Sequence, residues 1–113
     1  MTTKSTCFQD YVKCITRRPT ADPAKDLDCG VELVRCVYST IRGAMVTTGA
    51  GRGAIDNAVI RGQLSDHDVS TIQSFASEVR AITHSNPEHG SKREQDLSSR
   101  VEQYMTALVG RLP

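Results

Sequence analysis

CFQDYVKCITRRPTADPAKDLDCGVELVRC, residues 7–36, is the stretch that decides the fold. Thr6 with Gln9 has the form of a capping box, and Cys7, Phe8, Tyr11, Cys14 and Ile15 follow at helical spacing. A first helix is predicted from about Cys7 to Arg17. Arg17 and Arg18 suit the negative end of its dipole, and Pro19 blocks continuation. Asp22-Pro23 then reads as a helix start, because a proline in the first turn lacks an amide hydrogen that would be unpaired there anyway. The second helix is predicted over 23–46, with Leu27, Val31, Val34, Tyr38, Ile41 and Met45 as one seam. Cys29, Cys36 and Gly43 form a line on nearly the opposite side. A helix apolar on two faces belongs at the centre of a bundle, and Gly30 within it marks a close approach by another helix.

Two antiparallel helices joined by a short turn place residues opposite each other when their numbers add to a constant total. Cys7 with Cys36 and Cys14 with Cys29 give the same total, so both pairs face each other at once. Cysteines seven apart on one helix are separated by about 10.5 Å along the axis, too far to share a zinc ion held at about 2.3 Å. No metal site is therefore expected. The paired sulfurs are either bridged or reduced and buried as small apolar groups. The layout is similar to the helical hairpins of mitochondrial intermembrane-space proteins with twin cysteine motifs. In that family the hairpin is stapled by two bridges, and its paired cysteines are separated by nine or three residues instead of the six found here.

After the hairpin, residues 47–53 hold Gly49, Gly51 and Gly53 and read as a joint. They follow a helix and lack a subsequent Lys-Ser or Lys-Thr, so a phosphate cradle is not indicated. Ala54 to Ile60 reads as a short helix. Ser65 as cap, Asp68 near the positive dipole end and Leu64 against Val69 open a fourth helix carrying Val69, Ile72, Phe75, Val79 and Ile82. Asn86-Pro87 ends it. Ser91 with Glu94 opens a fifth, with Leu97, Val101, Tyr104, Met105, Leu108 and Leu112 as its stripe. The expected architecture is all-α: a single domain over 1–113, with a hairpin over 6–46, the joint over 47–53 and a helical part over 54–113.

Fourteen Lys and Arg against thirteen Asp and Glu leave a net charge of +1, so no overall field draws the chain to a polyanion. No apolar run approaches the roughly 20 residues needed to span a bilayer, and the first residues lack an apolar signal core. An intracellular, most simply cytoplasmic, location follows as the expectation, with the mitochondrial intermembrane space if the cysteines are bridged. Asp66-His67-Asp68 is explained by helix capping, and His84, Glu88 and His89 by a surface turn. No nucleophile pairs with a base in a recognisable motif. The chain is therefore expected to be a non-enzymatic interaction or assembly protein without a cofactor. It would bind a protein partner or its own copy, through Leu97, Val101, Tyr104 and Leu108 of the last helix. The alternative is nucleic-acid binding through a basic tip of Lys13, Arg17, Arg18 and Lys25, a field that Asp22, Asp26 and Asp28 would dilute.

Overall fold

The computed structural model describes residues 4–18, 20–42, 55–85 and 92–112. These form α1 (Lys4–Thr16), α2 (Pro23–Arg42), α3 (Asn57–Gln63), α4 (Asp66–Ser85) and α5 (Lys92–Gly110), and no strand occurs among them. The all-α bundle expected from periodicity is the fold. The glycine joint, Met45, Asn86-Pro87, His89 and Ser91 lie outside the described residues, as do the side chains of His84 and Arg42.

α2 is the central helix and touches the other four, whereas among the described helices α3 packs on α2 alone. Both of its apolar lines pack into one core. Val31 and Val34 enter the main core, and Cys29, Leu33 and Val37 are buried with them. α1 contributes Phe8, Tyr11 and Ile15, α4 contributes Ile72, Phe75, Ala76 and Val79, and α5 contributes Leu97, Val101, Met105 and Leu108. At Gly30 α2 and α4 approach closely: a Cβ placed on it would run into Cγ2 of Ile72. The glycine thus lets two helices approach along a line where any side chain would hold them apart.

Polar ties fasten the same contacts. Arg80 of α4 donates two hydrogen bonds of 2.7 Å to the Asp26 carboxylate of α2, and Asp26 is almost wholly buried. Tyr11 donates from its hydroxyl to the Ile72 carbonyl at 3.3 Å. Burial drives the Tyr11 phenol well above its ordinary pKa, Asp26 adds to the rise, and Arg80 partly offsets it. At the start of α4, Ser65 and Asp68 form a reciprocal box. The Asp68 amide donates to Ser65 Oγ at 3.1 Å and the Ser65 amide donates to Asp68 Oδ2 at 2.9 Å.

Two boundaries differ from expectation. α1 begins at Lys4, so Thr6 lies inside its first turn and does not cap it; no proline or glycine before Thr6 stops the helix from starting earlier. α3 starts at Asn57 instead of Ala54, because Asp56 adopts an extended backbone and accepts from the Ala58 amide at 3.3 Å. Gly62 is tolerated in its last turn, and Leu64 closes it by donating to the Arg61 carbonyl.

Candidate functional site: the bridged edge of the hairpin

α1 and α2 face each other along an edge crossed twice by sulfur. Cys7 is joined to Cys36 and Cys14 to Cys29, with Cα–Cα distances of 5.7 and 5.9 Å, inside the range that a disulfide spans. The pairing is the one that the antiparallel register requires. Local sequence sets that register. Asp22 caps α2 by accepting from the amides of Ala24 and Lys25 at 3.1 and 3.3 Å, and Pro19, expected to stop α1, lies outside the described residues.

The four cysteines line a groove of about 160 Å³ together with Asp10, Tyr11, Glu32 and Leu33. The two ends of each bridge differ in access. Cys7 and Cys29 are 1% and 2% exposed, whereas Cys14 and Cys36 are half-buried. Asp10 stands between Cys7 and Cys14 on α1, and Glu32 between Cys29 and Cys36 on α2, both exposed. They are the charged members of the lining. Glu32 also accepts from Asn57 Nδ2 at 2.7 Å, which ties α3 to this side of the hairpin.

The basic tip lies at the turn end of the same hairpin. Lys13, Arg17 and Lys25 are exposed and Arg18 is half-buried. Of the acids that were expected to dilute them, two pair with cations outside the tip and Asp22 stays beside it as a charged cap. Asp22 caps α2, Asp26 is buried against Arg80, and Asp28 pairs with Arg61. Among the described residues the four tip cations enter no ion pair, because the bridges found link Asp28, Asp26, Glu78 and Asp68 to Arg61, Arg80, Arg100 and Arg111.

The expected self-association stripe on α5 is corrected. Leu97, Val101 and Leu108 are 1%, 0% and 1% exposed within a single chain, so α1, α2 and α4 already cover them. Tyr104 is half-buried, packs edge-on to Phe75 with ring centroids 5.7 Å apart, and donates its hydroxyl to Asp68. Periodicity shows which face of a helix is covered and is silent on whether the cover comes from the same chain.

The Asp66-His67-Asp68 run likewise resolves into structure. Asp66 and His67 are exposed, while Asp68 is 2% exposed and accepts from Tyr104, Arg111 and Ser65. Burial would raise its pKa, but the hydrogen bonds from Tyr104, the Ser65 amide, Arg111 and the Ser65 hydroxyl together hold it well below the ordinary carboxylate range. Sequence reading missed this cluster and the Asp26–Arg80 pair, since their partners stand 36 to 54 residues apart in the chain. The one local signal was Asp26, a carboxylate one turn before the glycine where α4 approaches.

No helix of the described residues is long and apolar enough to cross a membrane. The chain matches no family model, no curated protein and no solved structure.

Proposed function

We propose that the chain is a non-enzymatic interaction protein that presents the bridged edge of its α1–α2 hairpin to a second copy of itself. The supporting observation is the segregation of charge on that edge, with Asp10 and Glu32 in the groove and Lys13, Arg17, Arg18 and Lys25 at the tip. Two such edges are complementary when one is turned end over end, which is the requirement of a two-fold interface. A hairpin held by two covalent cross-links also loses little conformational freedom on docking. The contact is polar, so it should weaken with salt. Sedimentation of the oxidised protein over a concentration series tests it: a mass that rises at low ionic strength and falls back at high salt is expected. A monomer throughout would remove the proposal.

A second reading, duplex nucleic acid at the same tip, is favoured by the pairing of Asp26 and Asp28 with Arg80 and Arg61. Four phosphate contacts would give a slope of log affinity on log salt of roughly −3.6. Arg17→Gln with Lys25→Gln should reduce that slope by about half. No shift of duplex RNA or DNA at low salt would exclude this reading and leave the first one standing.

A further inference from the structure

We infer that the cysteine groove is a thiol–disulfide exchange site that selects its thiol by charge, admitting cationic thiols and holding off anionic ones. All four cysteines line the groove, and Cys14 on α1 and Cys36 on α2 are the less buried residues, so attack by an incoming thiolate is assigned to their sulfurs. Their partners Cys29 and Cys7 are buried and act as the leaving sulfurs. The thiolate sulfur bonds to Sγ of Cys14 or Cys36 and the protein S–S bond breaks. The electron pair departs on Sγ of Cys29 or Cys7, which takes up a proton. A second thiolate then attacks the mixed disulfide, releasing the oxidised small thiol and leaving two protein thiols.

Charge decides which thiols complete the first step. Asp10 is three residues after Cys7 and four before Cys14, and Glu32 is three after Cys29 and four before Cys36. Helical geometry puts each carboxylate within a turn of both bridges on its own helix. Every approach through the groove therefore passes a negative charge, and Asp10 and Glu32 are the charged groups among its lining residues. The same spacing puts Arg17 and Arg18 three and four residues after Cys14 and Lys25 four before Cys29, so the charge selection is assigned to the Cys7–Cys36 bridge, flanked by Asp10 and Glu32. At such separations in water, two carboxylates change the local concentration of a unit charge by a few fold, raising it for a cation and lowering it for an anion. The contrast between oppositely charged thiols should be on the order of tenfold at low salt.

The test measures reduction rates of the oxidised full chain, dilute enough to sediment as a monomer. Cysteamine, 2-mercaptoethanol and mercaptoethanesulfonate are compared as cationic, neutral and anionic thiols at equal thiolate concentration. Reduction rates of the Cys7–Cys36 bridge, followed by peptide mapping and each divided by the same thiolate's rate on a small neutral disulfide, should fall in that order, and the spread should collapse at high salt. The Asp10→Asn/Glu32→Gln variant keeps an acceptor for Asn57 and changes only exposed side chains, so it should fold while losing the spread. Equal normalised rates for the three thiols in the wild type would overturn the inference. So would a spread that survives in the variant, or resistance to all three thiols.

Discussion

At the residue scale, the positions that matter most are those where a side chain is either forbidden or fully committed. Gly30→Ala would ordinarily stabilise a helix interior by about 1 kcal/mol. Here the added methyl meets Ile72 Cγ2, so the variant should instead lose about 1 to 3 kcal/mol in urea unfolding. Unchanged or greater stability would contradict the close α2–α4 contact. Asp68 makes a prediction in pH. Its folded pKa lies below its unfolded value of about 3.9, so the stability it contributes is complete above that value and disappears as pH falls through and below it. Asp68→Asn should be less stable at neutral pH and should show a flatter acid limb, which thermal melts across the acid range would record. Parallel acid limbs in the two proteins would sink the idea. Tyr11 works in the opposite sense: its raised pKa gives stability present below about pH 10 and lost as pH rises further, so Tyr11→Phe should flatten the alkaline limb.

At the element scale, five helices were legible from apolar spacing and from turn residues, because both are local. The Ser65 cap was readable for the same reason, and Thr6–Gln9 misled because a capping pattern marks a permitted start without requiring one. What covers each stripe is a long-range fact. The α5 side chains show the difference, since Val101 and Leu108 are buried by the chain's own helices. Val101→Glu/Leu108→Glu is accordingly expected to unfold the monomer, placing two unpaired carboxylates in the core at a combined cost above about 4 kcal/mol. Circular dichroism should show loss of helix at all protein concentrations. A variant that kept its helix and merely changed its mass would return α5 to the role of an interface.

At the scale of the whole molecule, the two bridges govern how far the unfolded chain can expand. The paired totals of the cysteine numbers were enough to place them, because a hairpin has one register once its turn is known; the bonding of sulfur to sulfur was not readable, since spacing is the same for thiols and disulfides. The Cys7–Cys36 bridge closes 29 residues and the Cys14–Cys29 bridge 15, nested inside it. In the chain-entropy model the outer closure alone corresponds to roughly 3 to 4 kcal/mol and the inner to about 3, each measured against an otherwise open chain. Once one bridge is present the other removes less freedom, so the two contributions do not simply add. The oxidised protein should melt on the order of 10 to 20 °C above the reduced one. Cys7→Ser/Cys36→Ser and Cys14→Ser/Cys29→Ser should each fall between those limits, because each retains one closure. Differential scanning calorimetry with and without reductant checks the order, and peptide mapping of the oxidised protein checks the connectivity. Cys7 joined to Cys14 would be incompatible with α1, whose two turns hold those residues about 10.5 Å apart along the axis. Equal melting temperatures for oxidised and reduced protein would show that the hairpin keeps its register by packing alone, with Tyr11, Ile15, Val31 and Val34 sufficient to hold α1 and α2 together.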